Sequence, residues 1–198
     1  ELSFWPEAVA GFGRRPITPA ALATVAENYL TLLRRLGGEA VRVTDKMPDN
    51  FLRLGLIHAA LPNARIIHSR RNPADTCLSI YFTDFSQGLD FAYSREDIAF
   101  FYRQYARLMT HWRTVIPPGR LLEIDYEDLV ADRERVTRRL IGFCGLDWSD
   151  NCLVPERNRR AVKTASVWQA RQPVYSRSVG RWRNYEPWIA EFLSLERG

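Results

Sequence analysis

The chain has 198 residues, 46% hydrophobic, 12% aromatic and 26% charged, which fits one globular domain with a sizeable core and excludes disordered, collagen-like and coiled-coil chains. No apolar run approaches the roughly 20 residues of a membrane span and no basic-then-apolar leader is read, so a soluble protein in a reducing, cytoplasmic compartment is expected. Net charge is +5, and Lys46 and Lys163 are the only lysines among 28 basic residues; arginine-rich codon usage explains such a bias, although the planar guanidinium suits phosphate and carboxylate.

Thr18-Pro19 reads as an N-cap with Pro at the first helical turn, and Leu22, Val25, Ala26, Tyr29, Leu33 and Leu36 then recur at helical spacing until Gly37-Gly38. Val41 to Thr44 is a short β-prone run, and a helical pattern follows from Pro48 to Leu61-Pro62. Ala64 to His68 is a second β-prone run, and Asn72-Pro73 starts a helix with apolar members Cys77, Leu78, Ile80, Tyr81 and Phe82. A long helix is predicted from about Arg95 to Val115, then a third strand from Leu121 to Ile124. Strands alternating with helices predict an α/β fold with a mainly parallel sheet, whose ligands bind at the carboxyl ends of the strands. From Asp147 to Tyr185 the sequence turns polar and arginine-rich, the composition of a long functional loop. With no repeat or linker, residues 1–198 read as a single domain.

Four segments carry candidate chemistry. In Ile66 to Ser79 a strand end delivers Arg70 and Arg71 to a helix start, where backbone N–H groups and the dipole favour an anion, and Ser79 projects a hydroxyl two turns later. The alternative is a pair of solvated arginines. In Thr44 to Asn50, Lys46 follows the first predicted strand and would open onto the same edge as Arg71, a compact cation suited to an oxygen gaining charge during group transfer. A surface contact with Asp45 is the plainer account. Tyr126, within Asp125 to Leu129, follows the third strand and would stack on or hydrogen-bond a nucleotide, or simply start a helix half-buried. Lys163 to Tyr185 interleaves hydroxyls, cations and aromatics, a mixture for closing over a phosphorylated nucleoside. A nucleic-acid surface is disfavoured because RNA-recognition signatures are missing.

Cys77, Cys144 and Cys152 form no CxxC pair, and His58, His68 and His111 show neither a triad nor ligand spacing, so no disulfide framework and no metal are expected. No GxxxxGK[ST], GxGxxG, HExxH or GxSxG element is found.

Taken in order, these segments resemble sulfotransferases of the group that includes tyrosylprotein sulfotransferases and bacterial sulfotransferase domains linked to tetratricopeptide repeats. Arg71, Asp75 and Ser79 match the R-x-x-x-D-x-x-x-S pattern that binds the 3′-phosphate of 3′-phosphoadenosine-5′-phosphosulfate (PAPS), and Lys46 with Pro48 match K-x-P. Tyr126 in Tyr126-Glu127-Asp128-Leu129, the Ser166 to Gln172 loop and Gly180-Arg181-Trp182-Arg183-Asn184 match further elements. The resemblance implies a three-layer fold like that of P-loop NTPases, no metal, Lys46 and Glu1 as catalytic lysine and base, and Arg71, Ser79, Tyr126, Ser166, Gln169, Arg171, Arg177, Ser178 and Trp182 at the cofactor. It also implies in-line attack of an acceptor hydroxyl on the sulfuryl sulfur.

The family's first strand and P-R-S-G-T-T type loop, which bind the 5′-phosphosulfate, have no counterpart here, so an N-terminally truncated domain with impaired activity on its own is expected. A degenerate binding or assembly domain and a P-loop kinase-like phosphotransferase stand as alternatives. Peptide tyrosine, a glycan and a small alcohol or phenol all remain as acceptors, and a homodimer stays open.

Overall fold

The structure, a computed structural model, describes residues 1–85, 89–155 and 176–195. By its internal contacts the chain divides into two compact units, Glu1–Ala64 with Leu108–Arg120, and Arg65–Arg107 with Leu121–Gly198.

In the first unit, α1 (Phe4–Phe12) and α2 (Pro19–Gly37) precede a 3-10 turn at Pro48–Arg53 and α3 (Leu54–Ala60). The start of α2 is as predicted: Thr18 accepts the Ala21 N–H at 3.2 Å and Pro19 opens the helix. Gly38, at φ 55°, ends it and donates its N–H to the Arg34 carbonyl. Buried Trp5, Tyr29, Leu54, Ile57, Met109 and Ile116 form the apolar interior. A side chain at Gly55 would place its Cβ 2.8 Å from the Trp112 ring, whose Nε1–H donates to the Phe51 carbonyl at 2.7 Å. The expected strand at Val41–Thr44 is not formed. These residues lack regular structure and are exposed, so their β-branched side chains have no pleated neighbour to pack against.

The second unit carries β1 (Ile66–Arg70), α4 (Pro73–Tyr81), the first part of α5 (Arg95–Val115), β2 (Leu121–Asp125), α6 (Tyr126–Ala131) and α7 (Arg133–Cys144). The strands pair in parallel, from Ile66 opposite Leu121 to Arg70 opposite Asp125, giving a two-stranded sheet among the described residues. Side-chain alternation gives this sheet two unlike faces. On one, Leu122 and Ile124 pack with Val136, Leu129, Leu140 and Phe143 of α6 and α7. On the other, His68 meets Tyr105 of α5. Helices thus flank parallel strands on both faces, the α/β architecture expected. A larger core joins Ala74, Cys77 and Leu78 of α4 to Ile98, Ala99 and Tyr102 of α5 and to Ile189 and Phe192. Gly145 at φ 63° closes α7, with the Leu146 N–H reaching the Ile141 carbonyl. Arg181–Trp188 forms a 3-10 helix, followed by a short helix at Ala190–Leu193.

No helix among the described residues is long and apolar enough to cross a membrane.

Candidate functional site

In the second unit the polar residues gather where β1 and β2 end. The Arg70 guanidinium donates to Asp125 at 2.9 Å and to Glu123 at 3.3 Å, and the His68 ring spans Glu123 at 2.9 Å and Tyr105 at 2.5 Å. Burial works against the Arg70 charge, but Asp125 and Glu123 outweigh it and raise the arginine above its ordinary value. Of the arginine pair, then, Arg70 is spent on the sheet.

Arg71 turns elsewhere. Its Cζ lies 5.5 Å from the centroid of the Tyr126 ring, one Nη donates to the Ser178 carbonyl, and Asp75 is 3.7 Å away. Its Nε is buried without a hydrogen-bond partner. One residue further on, the Asn72 N–H donates to Glu127 at 2.7 Å. The register of the strands, whose last pair is 70 with 125, is thereby carried two residues beyond the sheet by side chains: 71 with 126 and 72 with 127.

The start of α4 differs from the open N-terminus expected. Asn72 caps it by accepting the Asp75 N–H at 3.1 Å, and Glu127 takes the Asn72 N–H. Two of the backbone donors at this helix start are therefore already taken.

Asp75, 1% exposed, accepts the Gly180 N–H at 2.7 Å and the Trp182 N–H at 2.9 Å. It thus fastens the Gly180-Arg181-Trp182-Arg183-Asn184 segment to α4. Trp182 itself is partly buried and packs against the α4–α5 core, with Arg183 4.9 Å from its ring. Ser79 stands exposed on α4, and Arg177 is exposed just before Ser178. Ser166, Gln169 and Arg171 lie outside the described residues.

In the first unit the two residues expected to act in catalysis meet: Lys46 Nζ forms an ion pair with the Glu1 carboxylate. The Lys46 side chain is 68% exposed, yet partial desolvation holds its amine below the ordinary lysine value. Beside it, Asp45 accepts a hydrogen bond from the Tyr29 hydroxyl at 2.9 Å. Burial, then the Asp45 carboxylate, pushes that phenol well above the usual tyrosine range. Lys46 belongs to the first unit and Arg71 to the second, and Lys46 lies in irregular chain ahead of Pro48–Arg53 instead of at a strand end.

This order of elements has counterparts. A family model described as "Sulfotransferase family" matches residues 6–150. The chain belongs to the sulfotransferase family. An "Uncharacterized protein" of Aquifex aeolicus (strain VF5) is 36% identical over 194 residues, covering 96% of this chain and 25% of that protein. The chain therefore spans about a quarter of the length of the curated relative it matches. Among solved structures, "Sulfotransferase Domain from the Curacin Biosynthetic Pathway" matches with a TM-score of 0.55 and 18% identity, covering 87% of this chain and 68% of that one. The likeness is one of fold, and it agrees with the α/β arrangement described above.

Two features of this sulfotransferase-family chain escape sequence reasoning. The Tyr29 hydroxyl meets Asp45, although Tyr29 reads as one more apolar position of α2. Asp75 reads as a helix residue near an N-terminus, while its partners lie more than a hundred positions away. The period-2 alternation of β1 does separate Arg70 from Arg71, but only once the register with β2 is known.

Proposed function

We propose that this chain is the part of a sulfotransferase that holds the 3′-phosphate of PAPS and carries the catalytic lysine and base. The observation that carries the reading is Arg71. A guanidinium with one buried, unpartnered N–H stands at the end of a parallel strand against an aromatic ring, a donor arrangement that fits a phosphate. When bound, PAPS supplies an activated sulfuryl group for attack by an acceptor hydroxyl, and 3′,5′-ADP departs.

Arg71 holds the 3′-phosphate, with Ser79 as a second donor. Tyr126 supports the guanidinium through its ring and faces the nucleotide. Arg177, Ser178 and Trp182 add further cofactor contacts, and the same role falls to Ser166, Gln169 and Arg171, which lie outside the described residues. Lys46 neutralises charge that grows on the oxygen released from sulfur, and Glu1 takes the proton of the acceptor hydroxyl. The demand on the protein is positioning and charge neutralisation, much as in phosphoryl transfer, so no metal need take part. The acceptor is a hydroxyl compound: a peptide tyrosine, a glycan or a small alcohol or phenol.

The test is transfer of labelled sulfate from PAPS to a panel of phenols, sugars and tyrosine peptides by the full-length protein and its Lys46→Ala variant. Transfer that falls at least a hundredfold in the variant, roughly the effect of one lost electrostatic donor, supports the reading. Transfer equal in the two proteins overturns the role of Lys46, and no transfer by the wild type overturns the activity.

A further inference from the structure

An exposed ion pair between long side chains contributes too little to fix its own geometry, so something beneath Lys46 and Glu1 must hold them together. Lys46 lies in chain without regular structure, and Glu1 lies three residues before α1. Both lead to one buried side chain. Tyr29, 5% exposed at the middle of α2, donates its hydroxyl to Asp45, the residue before Lys46. On the same ring stand Phe4 at 4.9 Å and Trp5 at 4.8 Å, the first residues of α1. Trp5 is 1% exposed, so this end of α1 is pinned. The contacts close a circuit from Glu1 through Phe4 and Trp5 to Tyr29, on to Asp45 and Lys46, and back to Glu1 through the ion pair.

Asp45 adds a second sign. One of its carboxylate oxygens accepts the hydrogen bond from the tyrosine hydroxyl, and the other is buried with no hydrogen-bond partner. Leaving a buried carboxylate oxygen unsatisfied costs stability, and the apolar interior around Trp5 and Tyr29 needs no acid for its packing.

We propose that Tyr29 is a positioning residue, whose hydroxyl, acting through Asp45, sets Lys46 against Glu1. The inference rests on the proposed function for its catalytic consequence and on the geometry alone for the positioning itself. Removing the hydroxyl frees Asp45 and lets the Lys46 segment drift from the end of α1, while the ring keeps its packing. By contrast, a tyrosine that merely stabilised the core would change the melting temperature and leave the Lys46 environment alone.

The chain offers a direct readout because it has only two lysines, Lys46 and Lys163. Brief acetylation of the full-length protein by acetic anhydride, read by mass spectrometry, gives the Lys46 rate with Lys163 as internal reference. Tyr29→Phe and Asp45→Ala are each expected to raise the Lys46 to Lys163 ratio roughly threefold, the scale of an exposed ion pair. Glu1→Gln does the same, and Tyr29→Phe combined with Glu1→Gln adds nothing further, because both release one contact. Asp45→Asn, whose amide oxygen still accepts the phenol, preserves the ring-to-segment tether if Tyr29→Phe fails to fold, so its ratio stays closer to wild type than that of Asp45→Ala. A ratio unchanged in both Tyr29→Phe and Asp45→Ala, or fully additive effects in the double variant, overturns the proposal. In the sulfuryl-transfer assay Tyr29→Phe lowers kcat roughly tenfold or more and leaves the donor KM within twofold. Wild-type protein that transfers nothing refutes the activity and leaves the acetylation result to decide the positioning.

Discussion

Arg71 lies over Tyr126, 5.5 Å from guanidinium carbon to ring centroid, one step beyond the last backbone pair of the sheet, Arg70 with Asp125. The ring presents its face to the cation; one Nη donates to the Ser178 carbonyl, and the buried Nε–H, which has no hydrogen-bond partner, is the donor left for an anion. A contact of this kind contributes about 0.5–1 kcal/mol, or a factor of roughly two to five. Tyr126→Ala should therefore weaken 3′,5′-ADP binding by roughly that factor, and Tyr126→Phe, which keeps the ring, should bind more tightly than the alanine variant. Isothermal titration of the three full-length proteins checks it; equal affinity for all three would remove Tyr126 from the site.

Asp75 holds two backbone N–H groups from a segment a hundred residues away while its side chain is wholly buried. Asp75→Ala leaves the Gly180 and Trp182 N–H groups without their acceptor, and the cost is about 3 kcal/mol. Asp75→Asn keeps one oxygen acceptor and turns an amide N–H toward the other donor, so it is intermediate. Urea denaturation ranks the three proteins, and an alanine variant as stable as wild type contradicts the clamp.

Much of the helical framework is written locally. Thr18-Pro19 and Asn72-Pro73 each pair a capping side chain with a proline that cannot donate, and both start helices where expected. The parallel strands around Ile66 and Leu121 follow from β-branched and aliphatic runs next to turn residues. Val41 to Thr44 has the same local character but is not paired as a strand in the structure, because strand formation depends on a neighbouring strand that local sequence does not specify. The motif order singles out Arg71, Lys46 and Tyr126 as candidates. The spacing to Asp75 and Ser79 picks Arg71 over Arg70, but where Arg70 goes depends on which face of β1 meets Glu123 and Asp125, and the Tyr29–Asp45 and Asp75–Gly180 contacts, which join distant segments, leave no local signal. Helix α1 carries no side-chain cap at Ser3, which removes the usual starting signal.

Alkaline stability follows from Cys77. Complete burial pushes its thiol from 9.0 up to about 12. A group with a raised folded-state value contributes stability that is whole below pH 9.0 and is lost as pH rises toward 12, because the unfolded chain ionises first. Unfolding free energy should then fall by roughly 1.4 kcal/mol per pH unit across that window from this thiol. Tyr29, raised by burial and by Asp45, acts in the same direction above 10.0. Cys77→Ala is less stable at neutral pH through lost packing but has a shallower alkaline slope. Denaturation curves between pH 8 and 11 test it, and identical slopes would contradict the assignment.

Gly55 faces the Trp112 ring so closely that a Cβ would stand 2.8 Å from it. Gly55→Ala should destabilise the chain by about 1–3 kcal/mol through overpacking, and should strain the Trp112 hydrogen bond to Phe51. Thermal melts followed by tryptophan fluorescence record both effects, and an unchanged melting temperature would show that α3 yields freely.

The central claim is that Arg71 reads a 3′-phosphate, and the measurement that bears on it most directly is calorimetric titration of the full-length protein with 3′,5′-ADP and with 5′-ADP. The account predicts that wild type prefers 3′,5′-ADP by at least tenfold, as expected of a charge-assisted contact, and that Arg71→Ala binds the two nucleotides alike. Equal affinity in the wild type, or a preference that survives Arg71→Ala, would contradict it.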